Sequence, residues 1–194
     1  MEKRVAITTI GTLGDVQPYV ALAMSFKKRG HSVVLGAPSD FENLIKSHDI
    51  EFHSLGTSIH AYLTQSRFEK AMKKNLFLHA PLLMLEAQKI FYKAMGHCHQ
   101  MAQGADVIVA NMNTSFAIDI AEALKIPVVM SAAQPLTSTG DHPLCIYNGP
   151  SLGRILNRFT YGTMQFQQSC YNPPRNKGRR DFLGLPSLKN GKFL

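Results

Sequence analysis

Arg4-Val-Ala-Ile-Thr-Thr-Ile10-Gly-Thr-Leu-Gly14-Asp-Val-Gln-Pro18-Tyr-Val-Ala-Leu-Ala is the stretch on which the fold turns. Arg4–Thr9 is a short β-branched run that stops at Ile10-Gly11-Thr12-Leu13-Gly14, the pattern of a buried strand entering a tight turn. A helix follows. Asp15 is placed to cap it, Pro18 suits its first turn, and Val20, Leu22, Ala23 and Phe26 supply apolar faces. Lys27-Lys28-Arg29-Gly30 closes it, with cations at the negative end of the helix dipole and a glycine beyond the last turn.

Outward from this unit the alternation repeats. Ser32–Leu35 reads as a second strand, 40–48 as a short helix and Ile50–Leu55 as a third strand. Strands alternating with helices predict an α/β domain with a parallel sheet and right-handed crossovers. Residues 58–104 interrupt the pattern with two helical stretches and no strand between them. The second, Pro81–Gln103, is rich in Leu, Met and aromatic residues, including Met84, Phe91 and Met95. Strand, helix and strand then resume at Asp106–Ala110, Ser115–Leu124 and Pro127–Ser131. A polar loop, 134–143, leads to a long helix predicted over Ser151–Tyr171. Pro173-Pro174 is expected to end that helix and leave a basic tail.

Bulk properties bound the function. At 194 residues, 45% hydrophobic and 18% charged, the chain is an ordinary globular domain rather than a disordered or fibrous one. Such a length buries about 70% of the unfolded surface, so no disulfide or metal staple is needed. No apolar run approaches the roughly 18 residues of a membrane-spanning helix, and the N-terminus does not read as a signal peptide. Cys98, Cys145 and Cys170 form no CxxC pair, which favours a reducing cytoplasmic setting. The net charge of +8 is unevenly placed, since 151–194 holds eight Lys or Arg against Asp181 alone. That block suits an anionic membrane surface, an acidic second domain or simply a solvated helix face. It lacks a recognisable nucleic-acid reader motif, and no nucleic-acid partner is expected.

In a parallel sheet the ligand crevice lies at the carboxyl ends of the strands. Gly11-Thr12-Leu13-Gly14-Asp15 stands there, but its GxxG spacing is not the GxGxxG of dinucleotide enzymes. Strand two also ends in Gly36-Ala37-Pro38 without the expected acid. No GxxxxGK[ST] occurs, so a P-loop NTPase is excluded. His97 and His99 lie two residues apart on a helix and point away from each other, so no metal site is expected.

Gly11-Thr-Leu-Gly-Asp-Val-Gln-Pro-Tyr-Val-Ala-Leu-Ala, with Lys28-Arg-Gly-His-Ser-Val after it, resembles the opening of the GT-B glycosyltransferases. It is closest to the group holding sterol glucosyltransferases and antibiotic glycosyltransferases. The likeness continues through Asp106-Val-Ile-Val-Ala-Asn, Ile120-Ala-Glu-Ala-Leu-Lys-Ile-Pro-Val-Val, Gln134-Pro-Leu-Thr-Ser-Thr and Phe182-Leu-Gly-Leu-Pro. It weakens over 56–104. What the resemblance implies is a Rossmann-like N-terminal, acceptor-binding half spanning 1–194, with a donor-binding C-terminal domain expected after Leu185-Pro186. The chain is then either an excised domain or one subunit of a split enzyme, in the latter case a non-catalytic one that recruits a membrane substrate or partner. A self-contained small-molecule-binding Rossmann domain is a third reading.

The activity implied is inverting transfer of a hexose from a UDP-sugar to a hydroxyl of a sterol or other lipophilic acceptor, with no metal or other cofactor. Asp15, in Gly14-Asp15-Val16-Gln17-Pro18, matches the proposed base of that group, though an aspartate at a helix start is also a good cap. Related plant-type enzymes pair a histidine there with an aspartate after the fourth strand. The corresponding position here is Asn111, so Asp15 has to act without such a dyad. Gly11, Thr12 and Gly14 either bring backbone to the donor phosphates or merely make the turn. Asn111, Gln134, Thr137 and Ser138 follow strands at the same edge and either line the crevice or are ordinary loop polars. Met84, Phe91 and Met95 either pack the core or wall an apolar acceptor.

Overall fold

The computed structural model describes residues 1–64, 76–145, 147 and 149–188. Five strands, β1 (Arg4–Thr8), β2 (Ser32–Ala37), β3 (Glu51–Ser54), β4 (Val107–Asn111) and β5 (Val128–Ser131), form one sheet in the order β3-β2-β1-β4-β5. Every neighbouring pair is parallel. Ala6 lies opposite Val34 on one side and Ile108 on the other, and Ile108 lies opposite Val128.

The two-residue period of a strand splits the core into two layers. Val5 and Ile7, with Val33, Leu35 and Val109, face α1 (Leu13–Lys28) and α2 (Glu42–Ser47). Ala6, Val34, Ile108 and Ala110 face the other way, into α4 (Leu76–Met101) and α5 (Ala117–Leu124). A short α3 (Ile59–Leu63) precedes α4, and α6 (Arg154–Ser169) and α7 (Asn172–Leu183) follow the sheet. The fold is thus the α/β Rossmann-like arrangement expected. Among the described residues no helix is long and apolar enough to cross a membrane.

Three expectations are corrected here. Pro18 lies within α1, beyond its first turn, and Asp15 occupies its third position while Thr12 is the N-cap. α6 ends at Ser169, ahead of Pro173-Pro174 as expected, but no plain tail follows. The prolines stand in the first turn of α7, where the missing N–H has no helical acceptor to lose. The C-terminal basic segment is consequently not a plain tail.

Two of its arginines are interior. Arg175 and Arg179 are 4% and 2% exposed and converge on Asp119 of α5, which is fully enclosed. Arg175 donates side-on to Asp119, from Nε at 2.6 Å and Nη2 at 2.9 Å. Arg179 Nη1 donates to the same carboxylate at 2.5 Å and to Glu122 at 2.7 Å. Arg179 Nε also caps the Pro186 carbonyl. Once α7 is held there, it closes against α4: Gly178 admits the Met95 thioether, and Gly96 lies against the Phe182 ring. Cys98, on the same side of α4, is buried, and burial pushes its thiol up to about 12. Lys189 and Lys192, the remainder of the expected basic tail, lie outside the described residues.

Replacing Asp119 with Asn leaves two buried guanidiniums short of their counter-charge and should cost about 3–5 kcal/mol in equilibrium urea unfolding. A loss under about 1 kcal/mol would mean that apolar contact alone docks α7. Arg179 beside Glu122 also holds that carboxyl below its usual range. Because the folded value is the lower one, the contribution of that pair is complete above the ordinary carboxyl range. It fades only as pH falls through the lowered value, so urea midpoints at pH 7 and pH 5 should show no loss from it.

Candidate active site at the switch point

β1 is central, and the chain leaves it in opposite directions: β2 and β3 lie to one side, β4 and β5 to the other. The crevice of such a sheet opens at the carboxyl ends of the two diverging strands, here β1 and β4. Ile10 through Asp15 follow the first, and Asn111 through Thr114 end and follow the second.

Gly11 makes the turn with φ +150°, a backbone geometry that side chains resist. It is also where the Asp15 carboxylate rests. A Cβ on Gly11 would stand 2.2 Å from Asp15 Oδ2. That oxygen accepts from the Thr12 amide at 2.9 Å and the Thr12 hydroxyl at 3.2 Å, the reach-back of a third-position acid to its N-cap. Oδ1 has no hydrogen-bond partner among the described residues. Asp15 is half-buried, whereas Thr12 and Gly14 are exposed.

Asn111 is 5% exposed and spends its whole amide on the frame. Nδ2 donates to Thr9 Oγ1 at 2.9 Å and to the Ile10 carbonyl at 3.3 Å, and Oδ1 accepts from the Thr114 amide and hydroxyl, each at 3.1 Å. Thr9 Oγ1 in turn donates to the Asp15 carbonyl at 2.9 Å. One amide therefore ties the end of β4 to the start of α1.

Two cavities meet at this frame. One of about 190 Å³ holds Asp15, Asn111 and Gln134, with Tyr19, Asn113 and Met164. Tyr19 donates to the Ser131 carbonyl at 2.9 Å. Burial pushes its phenol up and the Asp15 charge adds to this, while that hydrogen bond works against them. An apolar cavity of about 260 Å³ lies beside it, walled by Ile10, Ile90, Phe91, Tyr171 and, from α3, Ile59 and Tyr62. Met112, Asn113 and Met164 line both. Phe91 is braced edge-on by Phe116 and tilted against Tyr171, with ring centres 5.0 Å apart in each case. Asp40 anchors α3 by accepting from the Ser58 hydroxyl at 2.8 Å and the Ile59 amide at 2.6 Å. Burial opposes its ionisation, but these bonds and the His60 amide hold its carboxyl below the usual range.

The structure thus brings Asp15, Asn111 and Gln134 together, with Gly11, Thr12 and Gly14 forming the adjoining turn. Phe91 serves both the core and the apolar cavity. Met95 is fully enclosed against Gly178 and does not reach either cavity, because α4 turns it toward α7. Met84 is half-buried and stands outside both linings, Thr137 is an exposed loop residue, and Ser138 faces a separate groove beside α6. Tyr19, Met112, Asn113 and Met164 were not singled out from the sequence. Asn113 was the legible one, a second amide two positions past Asn111 at a strand end. Among the described residues no group of three His, Cys, Asp or Glu side chains is placed to hold a metal ion.

The family described as Glycosyltransferase family 28 N-terminal domain matches residues 5–140. The sterol 3-beta-glucosyltransferase of Leptosphaeria maculans is 31% identical over 191 residues, which cover 95% of this chain and 13% of that protein. That of Debaryomyces hansenii is 28% identical over 191 residues, 93% of this chain and 11% of the relative. The chain therefore spans a small part, 11 to 13%, of the length of these relatives. Among solved structures, the Streptomyces sp. SF2575 glycosyltransferase SsfS6, complexed with thymidine diphosphate, superposes with TM-score 0.55 and 16% identity. It covers 97% of this chain and 47% of its own. The glycosyltransferase SnogD from Streptomyces nogalater gives TM-score 0.56 and 15% identity, with 96% and 42% covered. At such identity the likeness is one of fold, that of the N-terminal half of a GT-B enzyme.

Gly11→Ala should expel the Asp15 carboxylate from its seat and cost about 1–2 kcal/mol through the positive φ alone. Amide NMR reads the first effect at Thr12 and unfolding the second. An unshifted Thr12 amide would show that Gly11 does not position Asp15.

Proposed function

The chain belongs to the glycosyltransferase family 28 N-terminal domains, and from that premise we propose that it is the acceptor-binding half of an inverting glycosyltransferase. The acceptor is a sterol or other lipophilic alcohol, the donor a UDP-hexose, and no metal takes part. One observation carries the reading: a cavity lined largely by apolar side chains and a cavity holding a carboxylate share a wall of Met112, Asn113 and Met164. A lipophilic body enters the first and presents its hydroxyl in the second. The relatives' name, sterol 3-beta-glucosyltransferase, agrees with such a ligand.

Asp15 is the general base. Its Oδ1, free of hydrogen bonds among the described residues, takes the acceptor proton as the acceptor oxygen forms its bond to the anomeric carbon. The bond from that carbon to the UDP oxygen breaks on the opposite face, and UDP leaves with the electron pair. Thr12 holds Oδ2, so the carboxylate keeps one oxygen turned to the cavity. Gln134 lies within reach to orient the hydroxyl. The exposed turn at Gly11, Thr12 and Gly14 presents backbone to the donor phosphates, with the start of α1 behind it. A second, donor-gripping domain completes the enzyme, whether in the same polypeptide or as a partner.

Titration of the chain with a solubilised sterol should shift the amides of Ile90, Met112, Asn113 and Met164, while UDP-glucose alone stays weak. In the assembled transferase, Asp15→Asn preserves the helix start but removes the proton acceptor. It should lower kcat about 10²–10⁴-fold with acceptor affinity kept. Unchanged turnover removes Asp15 as base, and tight nucleotide binding by the chain alone overturns the two-domain reading.

A further inference from the structure

The cavity beside the Asp15 site is walled mainly by apolar side chains, yet it is not apolar throughout. Ser115, between the end of β4 and the start of α5, is 6% exposed and lines it. Its neighbour Thr114 is the contrast. The Thr114 hydroxyl belongs to the frame, within 3.1 Å of the Thr8 carbonyl and of both Asn111 oxygens. The Ser115 hydroxyl has no hydrogen-bond partner among the described residues, and it is not sealed off as the Thr8 and Thr57 hydroxyls are. Nor is it spent at the helix start. Helix α5 begins without a side-chain cap, and the Ser115 carbonyl, not its hydroxyl, meets the Ile118 amide. A polar group so largely enclosed and yet unpartnered calls for a partner, and its place in a cavity wall makes a ligand atom the natural one.

Other polar groups share that wall. Gln168 of α6 is half-buried, and its side-chain amide has no hydrogen-bond partner among the described residues. Tyr171 adds a phenol that burial pushes up, so it stays uncharged. No Asp, Glu, Lys, Arg or His among the described residues lines this cavity. The wall therefore offers neutral hydrogen-bonding groups in apolar surroundings. A bound charge would lose its hydration there with no counter-charge to replace it. Ser115, Gln168 and Tyr171 all stand outside the wall shared with the Asp15 cavity. Whatever they meet is separate from a hydroxyl presented to Asp15.

We propose that the acceptor carries a second, neutral oxygen, a ketone or hydroxyl remote from the reacting hydroxyl, and that Ser115 selects for it. The Ser115 hydroxyl donates to that oxygen, and Gln168 is a further donor on the same cavity. This rests on the acceptor-binding reading and narrows it, from lipophilic alcohols at large to those oxygenated at two separate places. An acceptor with one hydroxyl fills the same space but leaves the Ser115 hydroxyl desolvated and unmet. A site built around a polar group discriminates in this way against an analogue that lacks the matching atom.

The test is a titration of the 194-residue chain, followed by amide NMR, with two steroids of one skeleton. Androstanol has a single hydroxyl, and epiandrosterone adds a ketone at the opposite end. Epiandrosterone should bind at least about tenfold more tightly. Ser115→Ala should bring epiandrosterone to the affinity of androstanol and leave androstanol within about twofold. The substitution removes one atom and adds none, so the fold is retained, and thermal unfolding checks it. An equal loss for both steroids in Ser115→Ala would make the serine merely structural and overturn the proposal. Equal binding of the two by the unaltered chain, a comparison that needs no variant, overturns it as well and leaves the acceptor reading standing. Binding of neither steroid overturns both.

Discussion

Asp119 is a charged group sealed from water, and the second half of the domain is arranged around making that tolerable. A carboxylate in such a place is stable only when its lone pairs are met by fixed donors of opposite charge. Arg175 and Arg179, one turn apart on α7, supply them in a planar, forked geometry that lysine could not match. The clamp sets where α7 lies. Met95 against Gly178 and Phe182 against Gly96 then set how closely α4 approaches it. Phe91, one turn earlier on α4, meets Tyr171 at the head of α7 and becomes a cavity wall. A buried ion pair on one side of the sheet thereby shapes the apolar space at its carboxyl edge.

The space that holds Asp15 depends on a different arrangement. Asn111 satisfies all its hydrogen-bonding capacity inside the frame, so it acts by holding the turn and offers nothing to a ligand. Asp15 is the reverse case. One carboxylate oxygen is spent on Thr12, and the other has no partner among the described residues. An amide that is fully used and a carboxylate that is half used stand side by side, and only the second is free to do chemistry.

Much of this was legible in the chain. The run Arg4–Thr9, the glycine-bearing turn and the helix after it appear as expected, because strand, turn and helix signals there agree over one short stretch. The α/β class and the sheet-edge placement of Asp15, Asn111 and Gln134 follow from the same regularity. What was illegible depended on partners far away in sequence. Arg175 and Arg179 read as part of a solvated basic tail, since nothing local reveals Asp119, 56 and 60 residues earlier. Pro173-Pro174 marked the end of α6, but nothing local announced that the same prolines open α7. Met95 and Phe91 share a helix and a chemical type, and only the direction of α4 separates a core residue from a cavity wall. Met164 joined the site from α6, beyond the reach of any local pattern.

Met164 and Met112 stand between the two cavities as a movable bulkhead. Thioether chains are unbranched and turn easily, so a rotamer change in either shifts volume from one compartment to the other without disturbing the sheet. The depth of the apolar chamber is then an adjustable quantity, set by two side chains that carry no part of the frame. Drift at these two positions could retune which shapes are admitted while Asp119, Asn111 and Asp15 stay untouched. The shape of the chamber and the architecture around it are in this way separately heritable.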